Sequence, residues 1–251
     1  MTKKQKRIII IVAVVVVLVL IYVIAALTGN TKPADDPNTN QNTPAADTSG
    51  DGQDTPDGQD EPEDTTEPTT EPYSAAFTAG RYTAGIDFPA GTYDLTAISG
   101  TGNVSSSNLY SGGLNEIMGI SDNDLYVPSF NGAVLEDGVV LKIGGSLQLQ
   151  LDCPEAETGS MKARENTATQ EYTFSSGNYT CGTDFEPGEY VVTAIEGSGN
   201  VSSDNLLTGG INEVMGVEAT DLYITNYKNV YLEDGCVLKV SGVTITLTPS
   251  K

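Results

Sequence analysis

The side chains that could do chemistry in this 251-residue chain are its acids, its serines and three cysteines, because it contains no histidine. Five acidic positions recur at a spacing of 97 residues: Asp87/Asp184, Glu116/Glu213, Asp124/Asp221, Glu136/Glu233 and Asp137/Asp234. Two carboxylates at a suitable separation hydrolyse glycosides. Most of these acids, however, stand in glycine-containing turn sequences, where aspartate bonds its own backbone. Ser105-Ser106-Ser107 offers hydroxyls without an imidazole to activate them. Asp122-Asn123-Asp124 supplies oxygens of the kind calcium takes, but the second copy reads Glu218-Ala219-Thr220-Asp221 and loses most of them. The expectation is a protein without catalytic residues, cofactor or metal.

The cysteines are Cys153, Cys181 and Cys236. The last two replace Ala84 and Val139 of the first copy, so both fall at apolar, strand-like sites gained in one copy only. Two readings fit. A Cys181–Cys236 disulfide would close a loop of about 55 residues and contribute about 3–4 kcal/mol in the chain-entropy model. Alternatively both are buried thiols. Cys153 is left over in either case.

The repeat that carries these positions runs from Phe77 to Leu151 and again from Phe174 to Thr248. Gly102-Asn103-Val104-Ser105-Ser106 returns as Gly199-Asn200-Val201-Ser202-Ser203, and Asn115-Glu116-Ile117-Met118-Gly119 as Asn212-Glu213-Val214-Met215-Gly216. Within a copy, Thr92 to Ile98 alternates polar and apolar, as do Leu147-Gln148-Leu149-Gln150-Leu151 and Val243-Thr244-Ile245-Thr246-Leu247. Period two marks half-buried strands. Asp137-Gly138 and Asp234-Gly235 between apolar runs read as hairpin turns. Leu114, Ile117 and Met118 recur at helical spacing, which suggests one helical turn or a knuckle plugging the core. The pattern predicts an all-β protein: two tandem small β-sandwich or jelly-roll-like domains at 74–152 and 173–251, joined by a linker at 153–172.

Ahead of the modules stands an apolar run at 8–27, preceded by Lys3, Lys4, Lys6 and Arg7. Twenty residues of helix span about 30 Å, the thickness of a hydrocarbon core. The total charge is −22, so everything after that basic tail carries −26. The positive-inside rule then places residues 1–7 in the cytoplasm and the modules outside, on a single-pass membrane anchor. Val23-Ile24-Ala25 allows a cleaved signal peptide as the rival reading, although the run exceeds the usual h-region of about 7–15 residues. Residues 28–73 are Thr-, Pro- and acid-rich and predict a disordered stalk. Strong net negative charge disfavours nucleic acid as a partner.

Tyr82-Thr83-Ala84-Gly85-Ile86-Asp87-Phe88-Pro89-Ala90-Gly91-Thr92-Tyr93, followed by the Gly-Asn-Val-Ser-Ser and Asn-Glu-Ile-Met-Gly strings, resembles an uncharacterised repeat module of membrane-anchored or secreted surface proteins of Gram-positive bacteria. The resemblance covers both copies and implies an outward-facing module, with no established activity and no catalytic residue to transfer. The expected function is non-catalytic binding or adhesion at the cell surface, to a cell-wall polymer, glycan or surface protein. The alternative is a structural or sensory envelope component. The residues expected to face a ligand, in loops, are Asn103, Ser105, Ser106, Asn115 and Glu116 with Asn200, Ser202, Ser203, Asn212 and Glu213. Tyr82, Tyr93, Tyr110, Tyr126, Tyr179, Tyr190, Tyr223 and Tyr227 are candidates for aromatic contact or for sheet packing.

Overall fold

The computed structural model describes residues 69–120 and 125–251; the basic tail and apolar run, the acidic stretch as far as residue 68, and Asp122 to Asp124 lie outside the described residues. The described chain is all-β apart from a 3-10 turn at Thr158–Ser160. Among the described residues no helix is long and apolar enough to cross a membrane.

The first copy forms β1 (Glu71–Phe77), β2 (Gly80–Thr83), β3 (Gly91–Ser99), β4 (Thr101–Ser106), β5 (Asn115–Gly119), β6 (Ser129–Leu135), β7 (Val140–Ile143) and β8 (Gln148–Ala156). The second forms β9 (Tyr172–Phe174), β10 (Gly177–Thr180), β11 (Gly188–Ser203), β12 (Asn212–Gly216), β13 (Asn226–Leu232) and β14 (Val237–Pro249). The second copy has fewer strands because β11 runs through the counterparts of β3 and β4, and β14 through those of β7 and β8. Where the first copy interrupts the chain at Gly144-Gly145-Ser146, the second has only Ser241-Gly242, and the continuous strand bends at bulges.

Each copy folds as two sheets. In the first copy the orders are β1-β8-β3-β6 and β2-β7-β4-β5. The second repeats this with β9-β14-β11-β13 and β10-β14-β11-β12. Both copies therefore share one sandwich-like arrangement of strands. Alternation supplies the facing surfaces: Tyr93, Leu95, Leu149 and Leu151 from one sheet meet Val104, Met118, Leu141 and Ile143 from the other in a single core. Fully burying each such side chain contributes about 1.5–3 kcal/mol. The second copy builds a separate core in the same way around Tyr190, Val192, Ile245 and Leu247.

Aromatic residues fill the corner of each core. Phe77, Tyr82, Phe88 and Tyr93 meet edge to face with centroids 4.7–5.7 Å apart. Phe174, Tyr179, Phe185 and Tyr190 occupy the corresponding corner of the second core. Four tyrosine hydroxyls donate to the carbonyl four residues upstream: Tyr82 to Thr78 at 3.0 Å, Tyr93 to Pro89 at 2.6 Å, Tyr179 to Ser175 at 2.9 Å and Tyr190 to Glu186 at 2.6 Å. Packing and turn closure therefore account for these four.

The aspartates read as turn-formers do that work. Asp87 accepts the Thr83 amide at 2.7 Å and Asp184 the Thr180 amide at 2.7 Å. Gly85 and Gly182, at φ of 82° and 81°, stand against Asp137 and Asp234, where any Cβ would collide with the carboxylate.

Two local expectations fail. Asp137-Gly138 makes a turn but no hairpin, since β6 and β7 lie in different sheets. The turn's neighbours bond to β2's exit instead: Ala84 N–H donates to Val139 C=O at 2.9 Å and Gly138 N–H to Ala84 C=O at 3.0 Å. Residues 115–119 are a strand, β5, and not a helical turn. Leu114 and Met118 do plug the core, while Ile117 points out. The first module is also longer than its repeat boundaries: inward alternation continues past Leu151 to Cys153 and Ala156, so Cys153 is a buried core residue of β8 and not part of the linker.

The two modules belong to one compact unit. β13 pairs in parallel with β2 at Lys228 opposite Gly80, and Ala79 is buried in the second core. Asn229 has φ 57°, where its counterpart Gly132 has φ 74°. Asparagine tolerates that left-handed conformation better than most residues. Its side-chain amide donates to Arg81 C=O at 2.9 Å and to Asp87 Oδ1 at 3.1 Å, crossing into the first module. Asn229→Ala is expected to cost about 1–3 kcal/mol from strain and lost hydrogen bonds. Asn229→Gly, which relieves the backbone alone, should cost less. Chemical denaturation of both variants checks the order.

Candidate functional site

The segments expected as ligand-facing loops are adjacent paired strands. Ser105 faces Asn115 and Asn103 faces Ile117 across β4 and β5, and Ser202 faces Asn212 and Asn200 faces Val214 across β11 and β12. The glycine, asparagine and serine content suggested loops, but these residues sit on the outer face of a sheet whose inner face carries Val104 and Met118. Asn103 Nδ2 donates to Asn115 Oδ1 at 3.3 Å. Register extends the polar row across the sheet: Arg81, Lys142, Ser105, Asn115 in the first module, and Asn178, Lys239, Ser202, Asn212 in the second.

The remaining expected residues do other work. Ser106 and Ser203 turn inward, and their hydroxyls accept the amides of Leu114 at 2.9 Å and Ile211 at 3.0 Å, pinning the loop between the strands. Glu116 and Glu213 are half-buried, opposite the inward Val104 and Val201. Glu213 reaches the first module, accepting the Gly145 amide at 3.3 Å, and burial raises its pKa. Arg81 and Lys142 lie half-buried at the junction, and desolvation lowers both.

Sequence reading missed the most regular feature of the surface. Of the fourteen exposed large apolar side chains among the described residues, twelve form six pairs 97 residues apart. Ile98/Ile195, Ile117/Val214, Ile120/Val217 and Leu125/Leu222 sit on the outer edge strand, the end of β3 or its counterpart in β11, and the loop that follows. Leu109/Leu206 and Tyr110/Leu207 sit in the loop after β4 or its counterpart, and Tyr110 and Leu207 are 98% and 97% exposed. The signal lies in the alignment of the copies, but an apolar residue taken singly gives no sign of whether it faces the core or the solvent.

The outer face therefore sets amides and hydroxyls beside exposed aliphatic groups. No protein-family model, curated protein or solved structure matches this chain. Beside Val217 the second module has a shallow groove of about 310 Å³ with Tyr223 on its wall. Amide and hydroxyl groups next to apolar contacts can hold a polar, uncharged chain by hydrogen bonds and desolvation together.

The cysteine pair lies elsewhere. Cys181 and Cys236 extend the β10–β14 ladder, with Cys181 N–H donating to Cys236 C=O at 2.9 Å. Only one backbone bond joins them, since Cys236 N–H donates instead to Glu233 C=O at 3.1 Å. Both are buried free thiols in the structure. Desolvation raises both, Cys236 to about 12.

Proposed function

We propose that this chain is a non-catalytic binding or adhesive protein, anchored in the cell membrane by residues 8–27, with its two β modules outside. The target is a repetitive cell-wall or glycan polymer. The observation that carries this reading is the set of six exposed apolar pairs at equivalent places in both modules. Exposed apolar side chains scattered singly need no explanation. Retention of the same six by two copies that have diverged at about half their positions favours a shared surface. Two weak sites on one chain gain avidity on a repeating target without new contacts. The membrane topology rests on the basic tail, the apolar run and the acidic remainder. The resemblance to modules of Gram-positive surface proteins points the same way.

The test is retention of the full chain on insoluble cell-wall and polysaccharide preparations. Tyr110→Asp and Leu207→Asp should each weaken retention about tenfold, and the double variant about a hundredfold or more. Melting temperatures should hold, since exposed substitutions cost within about 0.5 kcal/mol. Equal retention of the double variant would sink the reading, as would absence of retention on every preparation.

A structural or spacing role is the second reading. It is favoured by the buried Arg164 that ties both modules into one body.

A further inference from the structure

The junction between the modules holds a cleft of about 270 Å³. The two copies differ here in several polar residues. Arg81 comes from the first module, Arg164 from the connecting segment, and Glu189, Thr208, Asn229 and Tyr231 from the second. Their counterparts across the repeat are Asn178 for Arg81, and Thr92, Ser111, Gly132 and Val134 for the last four. Thr83 and Val140, which also line the cleft, are the same in both copies, whereas its charged, amide and aromatic residues are not.

Three observations say that the cleft is built for a ligand. Arg164 is 95% buried by its side-chain exposure of 5%, and its terminal nitrogens are engaged by Asp87 and Glu189. Its Nε and the Oε2 of its partner Glu189 are both buried without a hydrogen-bond partner. An unsatisfied buried polar group costs about 1–3 kcal/mol, so the pair leaves hydrogen-bonding capacity unused beside the cleft. Second, among the described residues no carboxylate pairs with the Arg81 guanidinium, which opens on the same cleft. Third, Tyr231 is a half-exposed aromatic at 41%, one of the two exposed apolar residues outside the six repeated pairs.

The chemistry of the occupant follows from the charge count. Three cations, Arg81, Arg164 and the facing Lys142, stand with three carboxylates, Asp87, Glu189 and the Glu233 that holds Thr208, so the local charge is zero and no net attraction favours an anion. Donors at Arg81, acceptors at Glu189 and Thr208, and one ring face suit a molecule whose hydroxyls both donate and accept. The volume lies just below the range of about 300–1,000 Å³ that holds drug-sized ligands, which matches one ring.

We propose that the cleft binds a single neutral pyranose unit of a glycan. Arg81 donates to its oxygens, Glu189 accepts from a hydroxyl, and Tyr231 covers one face of the ring, above the buried Arg164. This rests on the glycan-binding reading above but locates a site separate from the repeated outer surface.

The experiment is an NMR titration of the isotope-labelled full chain, watching the Arg164 Nε–H resonance. The probes are methyl β-glucopyranoside and N-acetylglucosamine, with sodium acetate and inorganic phosphate as anion arms. A saturable shift with a sugar at a Kd of about 1–10 mM is expected, the weak range near −4 kcal/mol. Neither anion should produce it. Tyr231→Ala and Thr208→Val should weaken the sugar at least fivefold with unchanged melting temperature, while the Tyr110→Asp, Leu207→Asp double variant leaves it unchanged. A shift with the anions alone makes this an anion site and overturns the proposal; so does no shift with any probe, or a sugar shift indifferent to Tyr231→Ala. The two readings fail separately: loss of polymer retention in the outer-surface variants with the sugar shift intact supports both, and polymer retention by a parent chain that shows no sugar shift removes the cleft alone.

Discussion

Raising the pH from about 9 to 12 unfolds both modules, because four tyrosines are held neutral by burial. Tyr93, Tyr190 and Tyr227 are fully buried and Tyr82 nearly so. Desolvation pushes the Tyr82 phenol to about 12, with the carboxylate of Asp87 adding to the rise and the hydrogen bond to Thr78 opposing it. Burial raises Tyr93, Tyr190 and Tyr227 further above the ordinary value of 10.0. In the unfolded chain a phenol releases its proton near pH 10. The folded state keeps that proton, so it binds more protons than the unfolded state and stability falls as pH rises. The contribution is whole below about pH 10 and is lost progressively up to the folded pKa, at about 1.4 kcal/mol per pH unit for each group. Each module carries two such tyrosines, so two pH units remove about 5 kcal/mol, comparable to the whole stability of a small domain. The Cys236 thiol, raised to about 12 by burial, adds a loss in the second module that begins nearer pH 9. Circular dichroism and tyrosinate absorbance, followed together, should show a cooperative transition between about pH 10.5 and 12. Tyr93→Phe gives a crossing result. At pH 7 it costs about 1–2 kcal/mol by orphaning Pro89 C=O, yet it shifts the alkaline midpoint upward. Tyrosinate appearing gradually, with the β signal intact to pH 12, would end this account.

How far the sequence carried is best seen at single residues. Alternation at Leu147, Leu149 and Leu151 located β8 and its inward face, because period two has one physical cause in a sandwich. Asp87 and Asp184 were legible as turn-formers because their bonds are local, spanning four residues. Non-local facts were not legible. The Asp137-Gly138 turn looks the same whether its flanking strands pair or part to different sheets, and only the competing Ala84 backbone decides. Ile117 and Met118 are adjacent apolar residues on one edge strand, and which of them faces out depends on the partner β4. Ser106 read as a ligand-facing hydroxyl because nothing in its neighbours announces the Leu114 amide eight residues on.

The junction was invisible for the same reason. Nothing near Arg164 in the chain advertises its partners, which lie in two different modules. The repeat itself misdirected attention, since a feature written twice looks functional and a feature written once looks incidental. Yet the single-copy residues Arg164 and Asn229 are the ones that bond the two copies together, beside a cleft that Tyr231 also lines. Divergence after duplication marks where the copies had to become different, and here that place is their contact.

Replacing Arg164 with methionine is therefore expected to separate the modules thermally. Arg164 Nη2 donates to both oxygens of Asp87 at 2.6 Å, and Nη1 pairs with Glu189. The Asp87 and Glu189 side chains are only 15% and 28% exposed. Removing the cation leaves two carboxylates poorly solvated and close to one another, and breaking a buried pair from one side costs about 3–5 kcal/mol. For a unit of this size that is a fall in melting temperature of about 10 °C or more. Calorimetry of the parent should show one transition, and of Arg164→Met two, because the modules have separate cores and lose the charge that joins them. Arg164→Lys should restore little, since an ammonium lacks the planar fork that grips Asp87 with one nitrogen and Glu189 with another. Adding Asp87→Asn to Arg164→Met should recover part of the loss, because it removes one of the two stranded charges, although it also weakens the bond to the Thr83 amide. A single transition at the parent temperature in Arg164→Met would mean that the β13–β2 pairing and Ala79 alone hold the modules together, and the clamp would then have no energetic role.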